Sequence, residues 1–503
     1  MNKYKLIFNQ LSLLSTLFIM SFLFTSVLWI RKTFGNINIE QIVFHLFSPI
    51  EGAGKEIVKD FNKNVILLSF IFTAIIFIIN DQLWKYKIIL GIRLKNYILE
   101  ITVLPLKLKR IFYFLFIIFL VTILLTNIYF NSFTFIIKQF NSTNIYKENY
   151  IDPQNILFKF PEKKRNLILI FLESIETSYF SIKEGGYFQK NLIPELYEIA
   201  NKNINFSHTS SVGGYYQVYG TGWTVAALVA HTSGVPLNIP IGGNEYGNHK
   251  RFLPGLITLM DILNKNNYYQ VFMIGSDKKF AGRDKYFEQH GNVFIKDLNY
   301  FKNIGKLPEN YHVWWGFEDR KLYQFAKEEL SELSKKQNPF ALYMLTVDTH
   351  HIGGYLCELC KNEYPEQYKN VLNCASKQAA DFIYWLEKQS FFKDTTIVIL
   401  GDHLYMDSSF FPGIKEKERK TLNIYINSQK QPIKSKNRAF SALDSFPTIM
   451  DAMGIEYNAD GLGLGRSLFR DTRTILEIMG YDNMNEELSK PSKEYWKFIK
   501  VQE

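Results

Sequence analysis

Cysteine is scarce in this sequence: three of 503 residues, Cys357, Cys360 and Cys374, all in one short segment. Three thiols allow one disulfide with one cysteine left over, and the count leaves the pairing open. Cys357-Glu358-Leu359-Cys360 has the spacing of half a zinc site, but no second Cys/His pair of suitable spacing follows, so a disulfide is the expectation. Internal repeats and low-complexity segments are absent. An excess of charge of one sign is also missing from most of the chain. Lys+Arg number 58 against 48 Asp+Glu, yet residues 1–130 hold 14 and 6 of them, leaving a nearly balanced 44 and 42 for the remainder. The basic balance belongs to the N-terminal part, and nucleic-acid binding loses its support.

That N-terminal part is rich in long apolar runs. Leu11 to Ile30 contains no charge, Ile111 to Phe130 repeats the pattern, and a shorter run covers Val65 to Ile79. About 20 apolar residues span a bilayer, so three transmembrane helices are expected within a membrane domain of residues 1–130. Lys85, Lys87, Arg93, Lys95, Lys107, Lys109 and Arg110 in the second loop face only Asp81 and Glu100. The positive-inside rule therefore puts the N-terminus and that loop in the cytoplasm and everything after Phe130 outside. No small-residue cleavage site follows the first run, where Val27-Leu28-Trp29-Ile30-Arg31-Lys32 stands, so it reads as an anchor.

Beyond the membrane part, residues 131–165 read as a polar juxtamembrane linker, 166–480 as a catalytic domain and 481–503 as a tail. Within 166–480, apolar runs (Leu167–Leu172, Val271–Ile274, Leu342–Val347, Thr396–Leu400) alternate with helical stretches (Leu256–Leu263, Arg320–Leu333, Cys374–Leu386). Strands apolar on both faces and alternating with helices predict an α/β/α sandwich around a largely parallel sheet. The runs are followed by Glu173-Ser174, Gly275-Ser276-Asp277, Asp348-Thr349-His350-His351 and Gly401-Asp402-His403. Parallel sheets bind ligands at the carboxyl ends of their strands, and carboxylates and imidazoles delivered to one edge fit a metal or phosphate site. Each of these has a plainer reading as a turn, cap or surface residue, and Trp314-Trp315 reads as packing.

Glu173-Ser174-Ile175-Glu176-Thr177-Ser178-Tyr179-Phe180, Gly220-Thr221-Gly222-Trp223-Thr224, Thr346-Val347-Asp348-Thr349-His350-His351 and Asp402-His403 occur in the order seen in the sulfatase-like membrane transferases. The sequence resembles that family over about residues 165–410, and within it most resembles the phosphoglycerol transferases that act on osmoregulated periplasmic glucans. The resemblance implies an alkaline-phosphatase/sulfatase-like fold outside a bacterial inner membrane, with the domain facing the periplasm. It implies one divalent metal, Mn2+ before Zn2+ or Mg2+, held by Glu173, Thr224, Asp402 and His403. Thr224 is the implied nucleophile, with Thr221 as the rival; Arg283, His350 and Trp223 are implied to meet the substrate. A Cys360–Cys374 disulfide with Cys357 free is implied by the same comparison. One departure stands out: Ala281 occupies the position where lipoteichoic acid synthases carry Trp, with Phe280 beside it as an apolar wall.

The chemistry is consistent with these roles. A threonine hydroxyl is a weak nucleophile until a cation or base lowers its pKa, and oxygen and imidazole ligands suit Mn2+ or Zn2+. Arg283 offsets phosphate charge and His350 protonates a departing alkoxide. The donor expected is phosphatidylglycerol and the acceptor an envelope glycan. Phosphoethanolamine transfer is the near alternative, and a binding or sensory domain on the same fold the distant one. A sulfatase proper would need C/S-x-P-x-R, which none of the cysteines provides and which Ser445-Phe446-Pro447-Thr448 lacks.

Overall fold

The computed structural model describes residues 3–35, 37–47, 55–83, 89–94, 97–102, 107–238 and 251–499. Lys85, Lys87 and Lys95, on which the orientation of the membrane part partly rests, lie outside the described residues. The chain forms two compact units: residues 1–38 with 54–134, and residues 39–53 with 135–503.

The first unit consists of helix α1 (Lys3–Phe34), a helical run α3 (residues 55–83), a hairpin of β1 (Ile89–Leu94) and β2 (Tyr97–Thr102), and helix α4 (Lys107–Phe130). By length and composition two stretches are able to cross a membrane, Leu11–Phe34 and Ile57–Ile79. The third expected span is different: Leu115–Phe130 passes only together with α5 (Ser132–Lys138), from which it is bent by 77°. Thr25 and Ser69 share a buried hydrogen bond of 2.8 Å between α1 and α3, a polar tie suited to a surface where apolar contact alone gives little specificity.

Helix α2 (Ile39–Phe47), between the first two apolar helices in sequence, belongs to the second unit. Phe44 lies in the same core cluster as Trp223 and Val225. The expected boundaries differ from this division in two further places. Ile145 and Tyr146 of the presumed linker are core residues, and Met484, Leu488, Tyr495 and Phe498 tie the presumed tail into the same core. Apolar side chains spaced along those short helices gain too much by burial to remain outside, about 1.5–3 kcal/mol each.

The second unit is built on a central sheet of seven strands: β3 (Asn166–Leu172), β4 (Gly214–Tyr216), β5 (Tyr269–Ile274), β6 (Phe294–Lys296), β7 (Phe340–Leu345), β8 (Thr395–Gly401) and β9 (Lys420–Ile426). Their order is β4-β9-β8-β3-β7-β5-β6. β8, β3, β7, β5 and β6 run parallel, while at one edge β9 pairs antiparallel with β8 and β4 antiparallel with β9. Along β3, Leu167, Leu169 and Phe171 enter one core cluster and Ile168, Ile170 and Leu172 the other. This two-sided burial explains the unbroken apolar run: a parallel strand covered by helices has no solvent face. Helices α6 (Thr224–Ser233), α7 (Arg283–Gln289) and α10 (Ser445–Ala452) cover the first face, and α8 (Asp319–Leu333) and α9 (Gln367–Glu387) the second. The result is an α/β/α sandwich.

Candidate active site

Strands β3 and β8 are neighbours in parallel register, with Leu172 opposite Gly401. The next residues, Glu173 and Asp402-His403, therefore emerge side by side. Gly401 is required here, because a Cβ would fall 1.9 Å from the Ile175 carbonyl oxygen. Ser174 turns the chain at φ 54° and its N–H donates to Asp402 Oδ1 at 2.8 Å; the His403 N–H donates to the same oxygen at 2.7 Å. Thr346, at the end of β7, accepts the Glu173 N–H at 2.9 Å. Three adjacent strands thus fix the backbone of the site.

The third contributor is the start of α6. Gly220 (φ 74°) makes the turn before it, where a Cβ would meet Pro236 at 2.9 Å. Thr224 is the first helical residue, and its hydroxyl donates to Glu173 Oε2 at 3.2 Å and lies 3.3 Å from His403 Nε2. Thr221 is elsewhere in both position and role: it is buried, donates to the Val218 carbonyl at 2.7 Å and accepts the Val218 N–H at 3.1 Å. The structure brings Thr224, and not Thr221, to the carboxylates.

Glu173, Asp402 and His403 each offer a ligand atom within 4.8 Å of the others. His403 Nε2 lies 3.3 Å from Glu173 Oε1 and 3.5 Å from Asp402 Oδ2, and the latter oxygen is buried without a hydrogen-bond partner. An orphaned carboxylate oxygen facing an imidazole and a second carboxylate is costly unless a cation is present, so these residues fit a divalent ion. The Nδ1–H of His403 donates to the Leu404 carbonyl at 2.8 Å, which directs Nε2 into the site as the ligand atom. Without an ion, burial opposes all three charges. Asp402 and Glu173 outweigh it at His403, whose pKa rises to about 10, while His403 and His350 hold Glu173 down to about 2. Burial and then Glu173 push Asp402 up to about 8.

The remaining expected residues surround this cluster. Arg283, at the start of α7, donates to Ser276 Oγ at 3.0 Å and the Asp277 carbonyl at 2.8 Å, and its buried Nε has no partner. Burial lowers its pKa to about 10, against the pull of Asp277 and Glu173, so it stays charged at neutral pH. His350 Nδ1 bonds the His351 carbonyl, and its ring lies 4.5 Å from Trp315. Burial lowers its pKa, with Glu173 opposing. Trp223 is buried beside Thr224 with Nε1 unpartnered. Asp277, Asp348 and His351 are supports: Asp348 and Asp319 each accept the other's backbone N–H, and His351 bonds Tyr405. Cys360 and Cys374 form the disulfide, and Cys357 is a buried free thiol.

One residue in the first motif has a function that the sequence did not disclose. Glu176 is fully buried and receives Arg419 through two guanidinium nitrogens, Nε at 2.8 Å, and also accepts the Tyr405 N–H at 3.2 Å. It pins the segment after His403 to the start of β9. The partners are separated by 243 residues, so no local pattern announces them.

The chain belongs to the sulfatase family, whose family model matches residues 165–455. Phosphoglycerol transferase I of Shigella flexneri is 33% identical over 313 residues, which are 61% of this chain and 39% of that protein. Phosphoglycerol transferase I of an Escherichia coli strain is 32% identical over the same shares. The match thus spans about two fifths of the length of these curated relatives. Among solved structures, a protein of the alkaline phosphatase superfamily from Vibrio parahaemolyticus has a TM-score of 0.50 at 20% identity, covering 68% of this chain and 79% of that one. Lipooligosaccharide phosphoethanolamine transferase A from Neisseria meningitidis has a TM-score of 0.51 at 11% identity, covering 87% and 83%. The fold is therefore the alkaline-phosphatase/sulfatase sandwich.

Proposed function

We propose that this protein is a membrane-anchored phosphotransferase that moves glycerol phosphate from phosphatidylglycerol to an envelope glycan, with its catalytic unit on the periplasmic side of a bacterial inner membrane. The observation that carries the reading is the Thr224 hydroxyl, 3.2 Å from Glu173 and 3.3 Å from His403 at the first turn of α6. The names of the 33% and 32% identical relatives support the head group.

A divalent ion held by Glu173, Asp402, His403 and Thr224, with Mn2+ our choice, would lower the hydroxyl pKa and offset phosphate charge. Thr224 Oγ1, its proton already lost to solvent, attacks phosphorus as the alkoxide, and the bond to the diacylglycerol oxygen breaks. The anionic phosphodiester bound beside it favours the charged form of His350, whose Nδ1–H is tied to a carbonyl, and the imidazolium gives its Nε2 proton to that oxygen. Arg283 and the first N–H groups of α6 neutralise the charge on the phosphoryl oxygens. The product of this half-reaction is a glycerophosphorylated Thr224. An acceptor hydroxyl of the glycan then attacks the same phosphorus, its proton returns to His350, and Thr224 is released.

The test uses the full-length protein in liposomes containing either phosphatidylglycerol or phosphatidylethanolamine. Diacylglycerol release from phosphatidylglycerol is the expected result. Consumption of phosphatidylethanolamine with phosphatidylglycerol untouched would instead make it a phosphoethanolamine transferase.

A further inference from the structure

Helix α2 is separated by four residues from the first apolar helix in sequence, yet it packs within the catalytic unit. Phe44 is buried against Trp223, with ring centroids 5.7 Å apart. Glu40, at the other end of the helix, lies beside Tyr219 in the turn before α6. His45 stacks on Phe280 at 5.8 Å, the planes 25° apart. Phe280 in turn meets Trp315 at 5.3 Å, and the Arg283 guanidinium carbon lies 5.4 Å from the Phe280 ring. The row His45, Phe280, Trp315, His350 therefore forms a continuous aromatic wall beside the phosphate-binding arginine. Ala281 is buried at φ 57° and carries only a methyl group, so the turn itself provides no larger ring at that position.

We propose that α2 is the head-group wall of the donor-lipid site and that His45 is a positioning residue that hydrogen-bonds a hydroxyl of a polyol head group. The assignment rests on the phosphotransferase reading and specifies the side of the site away from the ion. Its chemical warrant is the polarity of the unpaired groups. Trp223 Nε1 and Arg283 Nε are buried N–H donors with no protein acceptor. Phosphate and hydroxyl oxygens supply acceptors, and the C–H edges of a polyol pack against flat rings. Beyond the phosphate that both lipids share, an ammonium head group brings only further donors, whereas a polyol adds acceptors. Burial beside His350 pushes the His45 imidazole down to about 4, so at neutral pH one ring nitrogen donates and the other accepts.

The experiment compares full-length wild type, His45→Phe and His45→Gln in detergent, all loaded with Mn2+. Calorimetric titration with sn-glycerol 1-phosphate and with inorganic phosphate measures the head-group and phosphate contributions separately. Diacylglycerol release is followed in parallel as a function of phosphatidylglycerol concentration. His45→Phe keeps the stacking and loses the hydrogen bond. It is expected to weaken glycerol 1-phosphate about tenfold, leave inorganic phosphate unchanged, and raise KM more than it lowers kcat. His45→Gln restores most of the affinity. Wild-type affinity for glycerol 1-phosphate in His45→Phe, with phosphatidylglycerol turnover intact, overturns the assignment while the proposed reaction stands. Selective loss of glycerol 1-phosphate binding in a protein that releases no diacylglycerol from phosphatidylglycerol supports the wall and overturns the reaction.

Discussion

Thr221 and Thr224 are three residues apart and do opposite things with the same functional group. The Thr221 hydroxyl is saturated by Val218, donating to its carbonyl and accepting its N–H, so it has no freedom to attack a substrate. Thr224 begins α6, where unbonded backbone N–H groups and the positive end of the helix dipole converge, and its hydroxyl faces a carboxylate and an imidazole. Thr224→Ala is accordingly expected to abolish diacylglycerol release and the covalent adduct while leaving the folded protein intact. Thr221→Ala should lose roughly 1 kcal/mol of stability through the broken turn and retain measurable activity. Mass spectrometry of protein quenched during turnover checks the pair: an adduct on Thr221, or an active Thr224→Ala protein, reverses the roles. The sequence permitted both threonines because Gly-x-Gly-x-Thr gives no phase for the helix. The phase is set by Gly220, whose left-handed turn places the helix start at Thr224.

At the scale of elements, the strands that deliver ligands are the ones a reader of the sequence can find. β3, β5, β7 and β8 are apolar on both faces, and that pattern depends only on local residues. β9 is hidden by its buried Lys420, Thr421 and Asn423, of which Thr421 and Asn423 donate to the distant carbonyls of Tyr215 and Phe206, and β4 is three residues long. α2 is hidden for another reason: between two apolar runs, a short amphipathic helix reads as a loop, and its allegiance to the catalytic unit is decided by tertiary contacts of Phe44 and His45. The Glu176–Arg419 pair belongs to this long-range class and yields a prediction. Both side chains are nearly inaccessible, at 0% and 5%, so removing one leaves the other charge without compensation. Glu176→Ala is expected to destabilise the catalytic unit by about 3–5 kcal/mol, a fall in Tm of roughly 5–10 °C in detergent. Combining it with Arg419→Met should recover much of the loss, because no charge then remains stranded. An unchanged melting curve for Glu176→Ala would show that the contact contributes nothing to stability.

For the whole molecule, the cation is expected to act as a staple as well as a chemical group, because its ligands come from sequence positions far apart: Glu173 after β3, Thr224 at α6, and Asp402 and His403 after β8. Binding to the native state alone adds RT ln(1 + [ion]/Kd), about 2.7 kcal/mol at a hundredfold excess over Kd. The pH dependence follows from the ion-free site, where Asp402 and His403 are raised to about 8 and about 10 while Glu173 is held near 2. At neutral pH the two raised groups hold protons that the native site must release before an ion can bind, and Glu173 has none to give. Each displaced proton makes apparent affinity rise with pH, by up to about tenfold per unit per proton, until the free site has lost it. The Tm difference between Mn2+-loaded and chelator-treated protein should therefore widen steeply from pH 6 to about pH 8 and more gently towards about pH 10, and calorimetry in buffers of different ionisation enthalpy should register proton release on binding. Asp402→Asn should remove most of the Tm difference at every pH. A difference that is flat with pH, or one that persists in Asp402→Asn, would place the stabilising ion away from the Glu173–Asp402–His403 cluster and separate stability from the proposed chemistry.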